Sequence, residues 1–169
     1  MRGTGLVFGT RGLIVASAQT LTGAERVESY FVDVSYEQAQ IIDVDAHSGA
    51  ALLRVGRPDI PALSLADGRA LRQGQLVVTI SMLGGQQRTA TIGIVSPIDA
   101  RVATSRHAVI ATDARSGRGF AGGPLVNADS KVVCVHHTIF HKAGQWAGVS
   151  FAVAAGDVQG AIARLHSSQ

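Results

Sequence analysis

The stretch Thr112-Asp113-Ala114-Arg115-Ser116-Gly117-Arg118-Gly119-Phe120-Ala121-Gly122-Gly123-Pro124-Leu125-Val126-Asn127 decides how this chain is read. A glycine, two residues and then Gly-Gly-Pro-Leu-Val is the grammar of a loop built to present a nucleophile. Glycines let the backbone turn sharply, so that successive N–H groups aim at one point. Such a point stabilises a developing oxyanion.

Outward from this loop, short β-type runs recur in both directions. Leu6-Val7-Phe8 and Leu13-Ile14-Val15-Ala16 are split by Gly9-Thr10-Arg11-Gly12, a hairpin signature. Val27 to Val34 reads as a strand ending at Ser35, followed by Gln40 to Val44 and Ala50 to Val55. Then come Leu76 to Ile80, Arg88 to Val95, Ala108 to Thr112, Leu125-Val126, Lys131 to His137 and Val149 to Val153. Runs of this length, bounded by Gly, Asp or Ser, predict an all-β barrel or sandwich. The 20 glycines and 4 prolines fit a chain of many tight turns. Helical spacing is convincing only at the end, where Val158, Ile162 and Leu165 follow Asp157 as N-cap and predict a helix over 157–166. Asp67 to Leu71 is at most one helical turn.

The 169 residues make about one domain, long enough to bury a core without staples. Apolar residues are 46% and charged residues 16%, which excludes disorder. A net charge of +3 on scattered basic residues, with no basic run, argues against a nucleic-acid partner. The single cysteine excludes an internal disulfide framework and a cysteine zinc cage. No apolar run reaches the roughly 18 residues of a membrane span. Met1-Arg2 leads directly into Gly3-Thr4-Gly5, with no visible signal peptide. That is read as either a cytosolic chain or a domain whose leader has been removed.

The central loop resembles the nucleophile loop of HtrA/Deg proteases, a branch of the trypsin-like serine proteases, which reads TDA and, seven residues on, reaches the serine of GNSGGPLVN. Further segments carry the resemblance over nearly the whole chain. Gly3-Thr4-Gly5-Leu6-Val7 is similar to the family's GSGFI. Gly12 to Gln19 tracks GYILTNNH, and Asp45 to Val55 tracks DPRTDIALLKI. Pro61 to Leu65, Leu71 to Gln75, Gly93 to Ser96 and Phe151 to Val153 fit as well. The resemblance implies a trypsin-like double antiparallel β-barrel with a C-terminal helix. The barrels are expected over about 1–70 and 71–156, six strands each. The family's first strand and its PDZ domains are absent, which suggests an excised or pared-down homologue. The resemblance implies the cell envelope or periplasm as compartment, and it leaves the oligomeric state open.

The same alignment places Gln19 at the catalytic histidine, Gly49 at the catalytic aspartate and Ala121 at the nucleophile. Serine-type hydrolysis needs a hydroxyl, a base within reach of it and a carboxylate that orients the base. None of the three side chains here supplies its part, so the expected protein is a pseudoprotease and not an enzyme. Its expected role is to bind a protein or peptide, or to act as a regulatory scaffold. Cys134, on the apolar run Val132 to Val135, reads as a buried inert thiol. Ser116 and Ser48 lie near the loops but lack a histidine at the base position. Asp113 reads as structural.

HtrA proteases hold peptide as an added strand, so the expected binding residues are Gly119, Phe120, Ala121, His136, His137 and Thr138, with His136 to Ile139 as the accepting strand. Phe120 stands where the family has asparagine. It is read in two ways, as a ring that fills the pocket or as ordinary core. No cofactor is needed for binding, and a transition metal is the alternative. His137 lies on the strand that passes the triad aspartate in trypsin-like folds, and His47 is two residues before that position. A His47–His137 pair would suit Zn, Cu, Fe or Ni, as in magnetosome-associated HtrA-like proteins.

Overall fold

A computed structural model describes residues 2–45, 48–67, 71–83, 87–96, 109–117, 119–138 and 148–167. Two antiparallel sheets make up most of it. The first contains β1 (Leu6–Val7), β2 (Leu13–Ser17), β3 (Val27–Tyr30), β4 (Tyr36–Asp45) and β5 (Ala50–Arg54), in spatial order β1-β2-β5-β4-β3. The second contains β6 (Leu76–Leu83), β7 (Gln87–Ile94), β8 (Ile110–Thr112), β9 (Pro124–Val126), β10 (Val132–Thr138) and β11 (Ser150–Ala154), in order β7-β6-β9-β10-β11-β8. A helix, α1 (Ala155–Ser167), closes the fold. Each sheet curls into a half-barrel, the trypsin-like arrangement. The first sheet has five strands among the described residues where six were expected. The expected turn over Asp67 to Leu71 lies largely outside the described residues. No helix among the described residues is long and apolar enough to cross a bilayer.

The hydrophobic pattern explains how the sheets join. Leu6, Val15 and Leu52 from the first sheet pack with Val126, Val132, Val135 and Val153 from the second and with Val158 and Ile162 of α1. Burial of these apolar faces is the main drive that brings the two halves together. Val77, Leu125, Cys134 and Ala152 form a separate core inside the second sheet. A register shift between Val132 and Cys134 sets the facing of β10. After it, Cys134 points into the second core and Val135 toward the first sheet. Strand alternation then turns His136 into the second core.

Two boundaries differ from the sequence expectation. The helix starts at Ala155, so Asp157 stands inside its first turn instead of capping it. A carboxylate there still favours the helix dipole. The run Val27 to Val34 is not one strand, because β3 ends at Tyr30 and a turn follows. Asp33 makes that turn. Its carboxylate accepts the Ser35 amide at 3.1 Å and the Ser35 hydroxyl, and it pairs with Arg57 at 2.8 Å. The Arg57 bond, then Ser35, hold the Asp33 carboxyl well below the usual carboxylate range. Arg57 also lies 4.8 Å over the Phe31 ring. The clasp leaves Val34 at φ 58°, a left-handed conformation that β-branched residues rarely adopt, with 76% of its surface exposed. Val34→Gly should therefore stabilise the protein by about 1 kcal/mol, seen as a higher urea midpoint. An unchanged or lower midpoint would show that the turn carries no such strain.

Candidate functional site

The Gly117–Gly123 loop is pinned from three directions. From inside, the Phe120 amide donates to the Gly117 carbonyl at 3.2 Å and the Gly123 amide to the Phe120 carbonyl at 2.8 Å. From β10, the Gly122 amide donates to the His136 carbonyl at 2.7 Å, and the His136 amide donates to the Gly123 carbonyl at 2.9 Å. From the N-terminal segment, the Thr4 amide donates to the Ala121 carbonyl at 2.9 Å. The Thr4 hydroxyl donates to the Gly119 carbonyl at 2.6 Å, and Ser81 reaches the same oxygen at 3.1 Å. Gly119 and Gly122 take φ of 94° and 85°, which glycine adopts without strain. With both carbonyls held, the amides of Gly119 and Ala121 are left without an acceptor among the described residues. Unpaired loop amides of this kind are what an oxyanion site requires.

The structure brings Gln19, Gly49 and Ala121 to one corner. Gln19 lies in the 3-10 turn Ala18–Leu21 that follows β2. The Ala18 amide donates to the Gly49 carbonyl at 2.9 Å. A Cβ on Gly122 would stand 2.8 Å from the Ser17 nitrogen and 3.2 Å from the Ala16 Cα, so the Ala121 loop abuts the end of β2. Gln19 is exposed, Ala121 is a buried methyl, and Gly49 sits at φ 67° beside a crevice of about 10 Å³. Ser17, Ser48, Gly49 and Val135 help to line that crevice, which has room for about one water.

The Gly49 turn is held by charge. Asp45 accepts the Ser48 amide at 3.0 Å and the Ser48 hydroxyl at 2.7 Å, and it pairs with Arg164 of α1 at 2.9 Å. Burial opposes ionisation of Asp45, but the Ser48 bonds and Arg164 outweigh it and hold the carboxyl down to about 2. The charged network thus ties the helix to the turn that carries Gly49.

Phe120 is buried at 5% exposure, its ring set edge-on to the His136 ring with centroids 6.3 Å apart. It packs inward against His136 beneath the loop. His136 is 1% exposed, and its Nε2 lies 3.0 Å from the Thr79 hydroxyl. Which of the two atoms donates is set by the ring tautomer. Nδ1 itself has no partner in hydrogen-bonding geometry. The Phe151 carbonyl is near enough to favour a proton on the ring, but burial dominates and pushes the histidine down to about 4. An unmet buried polar atom costs about 1–3 kcal/mol.

The expected accepting strand needs one correction. Both backbone groups of His136 are already bonded to Gly122 and Gly123, so a strand added beside β10 would have to start beyond His136. On its other side β10 pairs with β11 through Thr138. The side chains of His137 and Thr138 lie outside the described residues, as do His47 and Ile139. The proposed His47–His137 metal pair is therefore not placed. Among the described residues no three potential ligands gather around a metal position. Cys134 is fully buried, and burial pushes its thiol up to about 12. Asp113 accepts the Ile94 amide at 2.7 Å, a structural contact. Sequence reasoning missed Thr4, Thr79, Ser81 and Ser150. The available signal was polar residues set within apolar β runs, as with Thr79 in Val77-Val78-Thr79-Ile80.

Comparison with known proteins gives this arrangement a family. The profile of the trypsin-like peptidase domain matches residues 3–135. The chain belongs to that family. It is 33% identical to a probable periplasmic serine endoprotease DegP-like from Pseudomonas fluorescens, over 89% of this chain and 32% of that protein. It is 34% identical to serine protease HTRA1 of Xenopus laevis, over 99% of this chain and 37% of that protein. Among solved structures, the HtrA-type protease AlgW with a decapeptide superposes with a TM-score of 0.86 at 25% identity, covering 96% of this chain and 51% of AlgW. An AlgW serine-to-alanine variant with a decapeptide gives a TM-score of 0.87 at 26% identity, covering 96% of this chain and 51% of the variant. The chain thus spans about a third of the curated relatives and half of the solved ones.

His136 makes stability depend on pH in a defined window. Burial holds its folded value at about 4, below the ordinary 6.5 of a histidine, so between 6.5 and about 4 the unfolded chain binds the extra proton. Stability should be full above pH 6.5 and fall by on the order of 3 kcal/mol as pH drops toward 4. Urea melts across this range check it, and His136→Val should flatten the slope.

Proposed function

We propose that this domain is a pseudoprotease, which holds an extended peptide or protein segment beside β10 without cutting it. The observation that carries the reading is Ala121. It occupies the apex of a loop whose backbone is otherwise set for oxyanion binding, yet it has no hydroxyl to attack a carbonyl. Two more features support it. Exposed Gln19 is no base near neutral pH, and Gly49 offers no carboxylate to orient one. The peptide would add along the β10 edge beyond His136, with a backbone carbonyl near the Ala121 amide. Main-chain hydrogen bonds would give affinity, as in other strand additions. The binding of decapeptides by AlgW is in keeping with such an edge. In the full-length protein the same capture would serve as a docking or regulatory scaffold.

The test is binding and cleavage on one sample. A fluorescent extended decapeptide should bind by anisotropy and remain intact by mass spectrometry after overnight incubation, and casein should be untouched. Ala121→Ser alone should leave cleavage at background, because a lone serine still lacks its base. Appreciable cleavage by the unaltered protein would overturn the reading.

A further inference from the structure

Exposed apolar side chains crowd the tip of the β3–β4 hairpin. Tyr30, Val32, Val34 and Tyr36 are each more than half exposed, and an apolar surface of this kind marks an interaction site. Tyr30 and Tyr36 are the chain's 2 tyrosines. They are directly opposed across β3 and β4, and their rings stack with centroids 5.6 Å apart. Glu28, two residues before Tyr30 on β3, shares their face. Its carboxylate accepts the Tyr30 hydroxyl at 3.0 Å. Beside them Val34 keeps its left-handed φ of 58° with no burial to offset the strain. Strain that persists at an exposed side chain points to a use outside the folded chain. β3 is the last strand of its sheet, and β4 and β5 separate it from β2, which the Ala121 loop abuts. A surface here is independent of the peptide-binding reading above.

Charge selects the occupant. All three glutamates of the chain, Glu25, Glu28 and Glu37, lie on or beside this hairpin, and residues 25–45 carry six carboxylates against one base, Arg26. Arg57 and Arg164 pair with two of the six, Asp33 and Asp45. That leaves Glu25, Glu28, Glu37 and Asp43 to make a local acidic surface on a chain whose net charge is +3. The other side of the hairpin already shows what such groups bind. There the Arg57 guanidinium lies 4.8 Å over the Phe31 ring while it pairs with Asp33 at 2.8 Å. The outer face offers the same two elements, a ring surface and a carboxylate beside it. Arg2 of the N-terminal segment lies within electrostatic reach of Tyr30, so the chain's own cationic charge is drawn toward this face. We infer that Tyr30, Tyr36 and Glu28 form a docking face for an arginine-bearing segment of a partner protein, with Val32 and Val34 as its apolar contacts. A guanidinium is planar and weakly hydrated, so it stacks on an aromatic ring and hydrogen-bonds a carboxylate at once. An acidic segment meets repulsion on the same surface.

Two fluorescent peptides serve as probes, identical except that the arginines of one are citrulline, a neutral isostere, in the other. Anisotropy at neutral pH and physiological salt should show the arginine peptide binding about tenfold more tightly. Tyr36→Ala and Glu28→Gln should each weaken it about fivefold and change the citrulline peptide little. Val34→Gly should weaken it about threefold even as it raises the urea midpoint. Ile92→Ala, at an exposed apolar residue of the second sheet, should leave it unchanged. Should a variant fail to fold, NMR of the unaltered protein with labelled tyrosine decides. Only Tyr30 and Tyr36 give ring signals there, and the arginine peptide should shift both. Equal affinity for the two peptides, full affinity in folded Tyr36→Ala or Val34→Gly, or unmoved tyrosine rings would overturn the docking face. So would self-association in sedimentation that Tyr36→Ala abolishes, because a second copy of the chain would then be the occupant.

Discussion

A Cβ at residue 122 would stand 2.1 Å from the Thr4 carbonyl, and the site depends on that closeness. Only glycine lets the loop lie this near the N-terminal segment. With the loop there, Thr4 can hold the carbonyls of both Gly119 and Ala121, while β10 holds Gly122 and Gly123. Moving the backbone out by the width of a methyl group would loosen all of these bonds at once. It would also part the Ala121 loop from Ser17 and the Gly49 turn.

That contact is maintained by the apolar seam between the sheets. Val15 and Leu52 on one side and Val132 and Val135 on the other remove enough surface from water to press the halves together. Arg164 and Asp45 add a charged tie from the helix to the turn at Gly49. The packing that holds this trypsin-like frame does not itself involve Gln19, Gly49 or Ala121. A triad contributes chemistry and little to the seam, so its positions can change while the loop geometry stays.

Much of the architecture was legible because it is written in local patterns. The hairpin at Gly9 to Gly12 and the strand periods act over a few residues and correctly predict an all-β domain, while the trypsin-like arrangement came from the family resemblance carried by the loop motif and its companion segments. Boundaries were less legible. Val27 to Val34 has a continuous β composition, and only the Asp33–Arg57 pair, 24 residues apart, shows why the chain turns there. The helix start was missed by two residues because β11 runs into α1 without a break.

The site divides in the same way. From residue identity alone, the sequence determined that Gln19, Gly49 and Ala121 lack a base, a carboxylate and a hydroxyl, since those are properties of single side chains. It could not determine what His136 does. Its facing depends on a one-residue register shift in β10, and its ring hydrogen bond depends on Thr79 arriving from β6. Nor could it show that the Phe120 ring turns inward to meet the edge of His136. Such facts arise where distant strands meet, and only the assembled sheets bring those strands within hydrogen-bonding reach.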